Sequence, residues 1–383
     1  MSVTEDAELS LWKYSDALGS LPAEYEDLSD EERRRRTREA KEKIDDNTVI
    51  LGHNYQRESV TRHADFLGDS LQLSRRAAEA DADYVVFCGV TFMAETADIV
   101  TDPDQKVILP SMEASCPMAG MAENIQVDGA WNELTDVVPG DDVVPVTYVN
   151  SYASLKAFTA EHGGSCCTSS NAERVFEWAL DDDGGGGEKI FFTPDKHLAH
   201  NTLHELGYGD DDFVVWDPWE PELGGNTPEE IRDAKFILWE GFCQVHERFG
   251  ADDVADVREN HPDANVIVHP ECRREVVEAA DYDGSTSTII EKVENAPEGS
   301  KWSIGTEIHL TKRLARENPD KEVFGLCGEE CSDCNAMRQI DPDFLVYALE
   351  EIVEGNVVNR IDVDEDEAEL AEEAIERMLS ISA

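Results

Sequence analysis

Positive charge is scarce in this sequence, in which 32 lysine and arginine residues face 85 aspartate and glutamate residues, for a formal net charge of -53. Nucleic-acid binding needs clustered basic side chains that neutralise phosphates, so this balance argues strongly against a nucleic-acid ligand. The one basic run, at 33–36, is interpreted as a turn of a solvated helix. Acidity of this degree is typical of proteins that work in concentrated salt, where counterions screen self-repulsion.

The charge predicts a stability that depends on salt. Raising the KCl concentration shortens the Debye length from ~30 Å at 0.01 M to ~3 Å at 1 M, which weakens repulsion among the carboxylates of the folded state. We therefore expect the melting temperature, measured by circular dichroism, to rise steeply with KCl. A melting temperature that stays flat from dilute buffer to molar salt would contradict this interpretation.

The sequence also lacks the features of an exported or membrane-embedded chain. Its first residues show no basic stretch followed by an apolar one, as a secretory signal would. No apolar run approaches the ~18 residues of a membrane span. We expect a cytoplasmic protein whose nine cysteines are reduced or metal-bound. Its 40% hydrophobic residues can furnish globular cores.

Short apolar runs alternate with helical periodicity from residue 48 onward, the pattern of parallel α/β units. The runs form three similar sets: 49–52, 84–90 and 107–110; 143–147, 164–167 and 189–195; and 264–268, 280–283 and 302–307. This repetition predicts three similar α/β modules in an approximate threefold arrangement, with polar strand ends facing a shared centre. The alternative is one long doubly wound sheet.

The composition also suggests where the modules begin and end. The predicted divisions are a polar helical N-terminal extension at 1–48, module 1 at 49–140, module 2 at 141–262, module 3 at 263–340 and C-terminal helices at 341–383. An apolar stripe at i, i+4 spacing marks the last helix. We expect the C-terminal helices to pack on module 1.

One cysteine follows each module in a loop-like context: Cys116, Cys243 and Cys334. Three thiolates that converge on a shared centre would hold a [4Fe-4S] cluster and leave one iron open as a Lewis acid. The C-x2-C spacing of Cys331 and Cys334 also suits zinc or a dithiol couple, and Cys327 or Cys331 could replace Cys334 or pair with it.

The other cysteines have a simpler interpretation. Cys88 and Cys272 fit the pattern of small buried hydrophobes. Cys166 and Cys167 are adjacent, so in an extended chain they point to opposite sides and cannot easily bind one ion together. No second C-x2-C pair completes a four-thiolate zinc site.

Nine motifs carry a resemblance to a known family. In chain order they are His53-Asn-Tyr55-Gln, Gly68-Asp-Ser70-Leu-Gln-Leu, Phe92-Met-Ala-Glu-Thr-Ala97, Glu113-Ala-Ser-Cys116, Tyr148-Val-Asn150, Thr168-Ser-Ser-Asn-Ala172, Pro194-Asp-Lys-His-Leu198, His269-Pro-Glu271 and Gly284-Ser-Thr-Ser287. This ordered set resembles the signature of the quinolinate synthases, the NadA-type enzymes of NAD biosynthesis. The resemblance covers 49–340, and the acidic composition is similar to that of a halophilic archaeal member.

The resemblance implies a fold, a cofactor and a reaction. The fold would be three three-layer αβα modules in pseudo-threefold arrangement, with the active site at their junction. One [4Fe-4S] cluster per chain would be held by Cys116, Cys243 and Cys334. Iminoaspartate would condense with dihydroxyacetone phosphate to give quinolinate, phosphate and water, and an L-aspartate oxidase or dehydrogenase would supply the iminoaspartate.

The candidate residues suit that chemistry. Glu271 is the expected base, with Tyr55 and His269 as proton donors. Hydroxyls and helix N-termini at Ser70, Ser169 and Thr286 supply uncharged donors for carboxylates and phosphate. The full set of expected substrate-binding residues is His53, Ser70, Tyr148, Val149, Asn150, Ser169, His269, Pro270, Glu271 and Thr286.

Two other functions remain open at this point. An aconitase-like hydro-lyase would use the same open iron on a hydroxy acid. A non-enzymatic iron-sulfur carrier would hand its cluster to other proteins. A carrier has no use for Tyr55, Ser70 and Glu271 at strand ends, so the pocket distinguishes a carrier from an enzyme.

Overall fold

A computed structural model describes residues 21–44, 47–328, 331 and 333–382. Residues 1–20 of the expected N-terminal extension lie outside this part of the chain. The described helices are α1 (Asp30–Ile44), α2 (Glu58–Thr61), α3 (Ser70–Ala78), α4 (Thr91–Val100), α5 (Asn124–Val137), α6 (Ala153–Glu161), α7 (Ala172–Leu180), α8 (Lys196–Glu205), α9 (Pro221–Gly224), α10 (Pro228–Asp233), α11 (Ala251–Asn260), α12 (Arg274–Ala279), α13 (Thr286–Glu294), α14 (Ile308–Glu317), α15 (Asn335–Arg338), α16 (Pro342–Val353) and α17 (Glu365–Ile381). The described strands are β1 (Thr48–His53), β2 (Phe66–Gly68), β3 (Tyr84–Cys88), β4 (Lys106–Ile108), β5 (Val143–Tyr148), β6 (Ser165–Cys167), β7 (Lys189–Thr193), β8 (Phe213–Trp216), β9 (Phe236–Trp239), β10 (Ala264–Val268), β11 (Tyr282–Asp283), β12 (Lys301–Gly305) and β13 (Glu322–Gly325).

These strands form three parallel sheets, which confirms the predicted α/β class with three parallel-sheet modules. Their strand orders are β2-β1-β3-β4, β6-β5-β7-β9-β8 and β11-β10-β12-β13. In each sheet the first strand in sequence lies between the second and the third. The alternative of one long sheet is wrong. The middle sheet differs from the others by the additional edge strand β8.

The predicted correspondence between the modules is off by one strand in the first sheet. Strand β2 has only three residues, and Phe66 and Leu67 are exposed, so no buried apolar run marks it in the sequence. It pairs with β1 as β6 pairs with β5 and β11 with β10. The run at 84–88 therefore corresponds to β7 and β12, which are the third strands of their sheets.

The chain divides into two compact units. The first unit holds the described residues up to Cys116 together with Asp333–Asp364, and the second holds those from Pro117 to 331 together with those from Glu365 onward. The first sheet lies in the first unit, and the other two sheets lie in the second. The strands are close to continuously apolar, as parallel strands covered on both faces should be; all six residues of β5 are buried.

The predicted division after residue 140 differs from the packing. Helix α5 buries Val127, Trp131 and Leu134 in a hydrophobic core cluster of the second unit. Phe158 and Trp239 belong to the same cluster. The Trp131 ring meets the Phe158 ring edge-on, with 5.7 Å between centroids. Burial of this apolar face, rather than proximity to the first sheet in sequence, decides where the helix packs.

The two C-terminal helices pack in different units. Helix α16 packs mainly on α1, in the part of the first unit that was predicted as the N-terminal extension. Helix α17 packs on α6 and β6 in the second unit, so the expectation that it docks on module 1 is wrong. Its buried stripe is Ala371, Ala374, Ile375 and Met378. The stripe was visible in the sequence, but its spacing carries no information about the surface that receives it.

The basic run in α1 is only partly solvated. Arg33 donates to both carboxylate oxygens of Asp343 at 2.6 and 2.8 Å. Arg36 donates from Nε to Glu350 at 2.8 Å. These pairs fix α16 to α1, which the interpretation of 33–36 as a solvated turn missed. Among the described residues, no helix has both the length and the apolar character needed to cross a bilayer.

Candidate functional site

The predicted site residues are divided between the two units. The first unit contains His53, Tyr55, Ser70, Cys116 and Cys334, and the second contains Tyr148, Val149, Asn150, Ser169, Cys243, His269, Pro270, Glu271 and Thr286.

The second unit brings two predicted strand ends together. Tyr148 is the last residue of β5, and Glu271 lies in the loop that follows β10. Both side chains are buried. The Tyr148 hydroxyl donates to Glu271 Oε1 at 2.7 Å, across 123 positions of sequence. The carboxyl ends of β5 and β10 therefore contribute to one polar cluster, where open α/β sheets bind ligands.

His246 completes this cluster. Its Nδ1 lies 2.7 Å from Glu271 Oε2, and its Nε2 lies 2.9 Å from Thr306 Oγ1. Because a carboxylate only accepts, the contact indicates a proton on His246 Nδ1. The His246 and His269 rings stack, with centroids 4.5 Å apart. His246 was not predicted, and its only signal in the sequence is its place three residues after Cys243.

The protonation states follow from this geometry. Burial would raise the pKa of Glu271, but the neighbouring His269 and His246 and the hydrogen bonds from His246 and Tyr148 hold it below its usual range. Burial lowers the pKa of His269 to about 3. At neutral pH the cluster thus contains a carboxylate and a neutral imidazole, and both carboxylate oxygens of Glu271 are engaged.

His53 and His269 have the same hydrogen-bonding arrangement: each ring accepts at Nδ1, which leaves Nε2 available as a donor. The backbone N–H of Glu271 donates to His269 Nδ1 at 3.2 Å, and that of Tyr55 donates to His53 Nδ1 at 3.1 Å. Each histidine stands at the end of the first strand of its sheet. A ring that accepts at Nδ1 carries its proton on Nε2 when neutral. The two repeats therefore each offer an Nε2–H donor.

Helix α8 positions both Cys243 and the loop of Glu271. Asp195, which is fully buried, caps α8 by accepting from Leu198 N at 2.9 Å, and its second oxygen accepts from Cys243 N at 3.1 Å. Burial raises the pKa of Asp195 well above its usual range, and the charge of Glu271 raises it further.

The same helix also fixes the carbonyl groups of that loop. The side-chain amide of Asn201 donates to the carbonyls of Pro270 and Cys272, both at 2.8 Å. Asn201 and Asp195 were not predicted as site residues, although Asp195 stands in the motif at 194–198. Both act on backbone groups that are far away in the sequence.

The polar side-chain cluster around Glu271, together with Cys243, has ligands for a metal. Cys243, His246 and Glu271 each offer one ligand atom, and the three atoms lie within 4.8 Å of one another. Thiolate and imidazole ligands suit zinc, iron and copper rather than magnesium or calcium. A single thiol is too few for a cubane cluster, which normally takes three or four cysteines.

Burial divides the seven cysteines that form no disulfide into two groups. Cys88, Cys166, Cys167 and Cys272 are buried, whereas Cys116, Cys243 and Cys334 are only half-buried. Burial raises the pKa of Cys88 and Cys166 to about 12 and that of Cys167 and Cys272 well above its ordinary value. The three cysteines predicted as cluster ligands are therefore the free cysteines that are not buried.

A disulfide joins the remaining two cysteines, Cys327 and Cys331, whose Cα atoms are 5.1 Å apart. The expectation that all nine cysteines are reduced or metal-bound is thus wrong for this pair. Cys334 is the member of the C-terminal cysteine group that stays outside the disulfide.

In the first unit, the loop that follows β1 contacts α15, the helix that Cys334 caps. Cys334 is the N-cap of α15, and Gln56 Nε2 donates to the carbonyl of Met337 in that helix at 3.0 Å. The Tyr55 ring meets the His53 ring edge-on, with 4.9 Å between centroids. The buried Gln56 thus connects the strand end that carries His53 to the helix that Cys334 begins.

Ser70, Ser169 and Thr286 occupy equivalent places in the three sheets. Each follows the second strand and stands at or just before the start of a nine-residue helix: α3, α7 or α13. The first backbone N–H groups of a helix have no intrahelical acceptor and point toward bound anions. Thr286 is buried and begins α13 behind the N-cap Ser285, whose hydroxyl accepts from Thr288 N.

Comparison with known proteins gives a consistent result over nearly the whole chain. The model of the quinolinate synthetase A protein family, NadA, matches residues 35–380. The chain is 58% identical over 376 residues to a quinolinate synthase of Halobacterium salinarum, which covers 98% of each chain. It is also 58% identical to one from Haloarcula marismortui, with the same coverage, and 49% identical over 362 residues to one from Corynebacterium glutamicum, covering 94% of this chain and 90% of the relative.

Proposed function

The chain belongs to the quinolinate synthetase A family and is an enzyme of the quinolinate synthase type, in NAD biosynthesis, and we propose that it condenses iminoaspartate with dihydroxyacetone phosphate to form quinolinate, phosphate and water. The observation that carries this proposal is the buried Tyr148–Glu271–His246 cluster at two strand ends, next to a cysteine. Because these relatives are quinolinate synthases, we do not retain the alternatives of an aconitase-like hydro-lyase or an iron-sulfur carrier.

The family is known for binding an iron-sulfur cluster, and the cysteines of this chain fit one. We propose one [4Fe-4S] cluster per chain, held by Cys116, Cys243 and Cys334. The support is their partial exposure, in contrast to the four buried cysteines and the disulfide pair. When bound, such a cluster supplies an open iron that polarises a carbonyl, carboxylate or hydroxyl oxygen.

Glu271 is the proposed base, and Tyr148 connects it to the substrate. Ring formation requires removal of protons next to a carbonyl or imine carbon. As the Tyr148 oxygen takes such a proton, its own proton passes across the 2.7 Å contact to Glu271 Oε1. His246, held by Thr306, keeps the other carboxylate oxygen oriented. Tyr55 and the Nε2–H of His269 are the proposed donors to departing oxygens.

The anionic groups of the substrates need donors that carry little charge in so acidic a chain. Iminoaspartate has two carboxylates, and dihydroxyacetone phosphate has a phosphate. The hydroxyls and helix starts at Ser70, Ser169 and Thr286 are the proposed anchors. His53 and Asn150 supply further side-chain donors, and the backbone at Val149 and Pro270 shapes the pocket walls.

Replacing Thr286 with valine should weaken substrate binding while chemistry continues. A hydrogen bond to a charged group contributes enough to raise KM for one anionic substrate about 10- to 100-fold, with kcat changed little. The matched control is Thr159→Val, because the Thr159 hydroxyl is also buried but donates within α6 to the Leu155 carbonyl at 2.7 Å. Unchanged KM values for both substrates in Thr286→Val would show that Thr286 does not bind substrate.

The substrate assignment is tested by omission. Anaerobically prepared protein should form quinolinate and release one phosphate per quinolinate only when both substrates are present. Dihydroxyacetone without its phosphate should give no quinolinate. Iminoaspartate hydrolyses in water, so we propose that an L-aspartate oxidase or dehydrogenase supplies it; adding such an enzyme with aspartate should replace added iminoaspartate. Quinolinate formed without dihydroxyacetone phosphate would contradict the proposal.

A further inference from the structure

A second group of side chains with metal-ligand chemistry lies on α8 and the turn that follows it. His200 and His204 are one helical turn apart, so they share a face of the helix. Asp210 begins the short 3-10 turn Asp210–Asp212, which leads into the edge strand β8. Three atoms converge: His200 Nε2 and His204 Nε2 lie 3.0 and 3.1 Å from Asp210 Oδ1, and 3.2 Å from each other.

Protons alone cannot satisfy all three contacts. If both imidazoles donate from Nε2 to Asp210, two N–H groups face each other at 3.2 Å. If instead His200 donates to His204, the lone pair of His204 faces the carboxylate at 3.1 Å. The mirror arrangement leaves His200 in the same conflict. One like-with-like contact therefore remains in every tautomer of the neutral rings.

A metal ion removes this conflict, because all three atoms then direct lone pairs at one centre. A tetrahedral ion with nitrogen and oxygen ligands at roughly 2.0–2.1 Å holds its ligand atoms about 3.3 Å apart. The observed triangle of 3.0, 3.1 and 3.2 Å is close to that spacing. We propose that His200, His204 and Asp210 bind one divalent first-row transition-metal ion, with zinc as the first candidate.

The surroundings favour this ion class. The His200 ring packs against the Phe213 ring, with 4.7 Å between centroids, which holds its orientation. Two imidazoles with one carboxylate suit zinc, nickel or copper, whereas magnesium and calcium prefer oxygen ligands alone.

The ion would join α8 to the turn that leads into β8. Three protein ligands leave a fourth position, which water can fill because the Asp210 side chain is 77% exposed and the histidine side chains are 22% exposed. Helix α8 also carries Asp195 at its start and Asn201 in its middle, which hold Cys243 and the loop of Glu271. The site thus stabilises the helix that orders the proposed active site.

The test uses the cluster-containing protein, prepared anaerobically and freed of loosely bound metal with a chelator. Zinc is titrated in competition with a chromophoric zinc indicator, and iron is counted before and after. We expect one zinc per chain with iron unchanged. His204→Gln and Asp210→Asn should each weaken zinc binding at least tenfold, whereas the control His261→Gln should bind as the unaltered protein does. Zinc should raise the melting temperature only in proteins with an intact triad.

Several results would overturn the proposal. One is an absence of zinc binding in the unaltered protein, and another is equal binding in His204→Gln and Asp210→Asn. A third is an X-ray absorption spectrum with sulfur scattering at roughly 2.3 Å, which would place the zinc on cysteines. The melting temperature of each variant without zinc serves as the folding check; where one variant fails it, the other decides.

Discussion

Replacing Cys243 with alanine should leave the anaerobically prepared protein without its iron-sulfur cluster and without quinolinate formation. A cubane held by three thiolates loses a third of its protein ligands in this variant, and the remaining two thiolates do not retain it. Cys243 is half-buried, and its backbone N–H donates to Asp195 at 3.1 Å, which fixes the backbone of this proposed ligand. Iron per chain and the visible absorbance of the cluster measure the effect.

The control is Cys88→Ala. Cys88 lies in β3, fully buried, and burial raises the pKa of its thiol to about 12. This variant should keep its iron. Cys116→Ala and Cys334→Ala should lose it as Cys243→Ala does, whereas Cys327→Ala should keep it because Cys327 pairs with Cys331. Loss of iron in Cys88→Ala with retention in Cys243→Ala would show that the ligand assignment is wrong.

Glu271→Gln should cut turnover by ~10²- to 10⁴-fold, the contribution of a positioned base. The amide keeps the shape of the carboxylate and can still accept from Tyr148, but it cannot take the proton that Tyr148 passes on. The iron-sulfur cluster content should stay normal, because Glu271 is not a proposed iron ligand. The measurement is kcat for quinolinate formation at saturating concentrations of both substrates, with iron counted on the same preparation.

Glu247→Gln is the matched control for this variant. Glu247 is a second carboxylate paired with histidine in the same unit: its carboxylate lies 2.6 Å from His197 Nε2 and 3.2 Å from Arg273 Nε. Its turnover should stay near that of the unaltered protein. Near-full turnover in Glu271→Gln with an intact cluster would make Glu271 a binding or structural group, and the base would then be His53, Tyr55 or His269.

The repeated strands could be predicted because a parallel strand that is buried on both faces has a continuous run of apolar residues in its sequence. The runs at 143–147 and 264–268 become β5 and β10 almost to the residue. Strand β2 could not be found this way, since its three residues are paired along the backbone but exposed at two side chains. The apolar stripe of α17 was visible, but the surface that receives it depends on tertiary packing.

The candidate site was predicted where residues follow strands and missed where they act from elsewhere. Tyr148 and Glu271 stand at strand ends, so the rule for open α/β sheets selects them. His246 lies in a short turn, 25 positions from its partner Glu271, and no periodicity marks it. Asp195 and Asn201 act through backbone groups of other segments, a role that composition and spacing do not encode. The disulfide depends on a Cα separation that only the fold supplies.

The anaerobically prepared protein should hold a three-cysteine cluster and use it to make quinolinate. The most direct measurement counts iron and follows quinolinate from iminoaspartate and dihydroxyacetone phosphate on the same sample. A brown protein with about four irons per chain that forms quinolinate is the predicted result. A colourless protein with stoichiometric zinc in place of iron, or a four-iron protein that forms no quinolinate from these substrates, would contradict the claim.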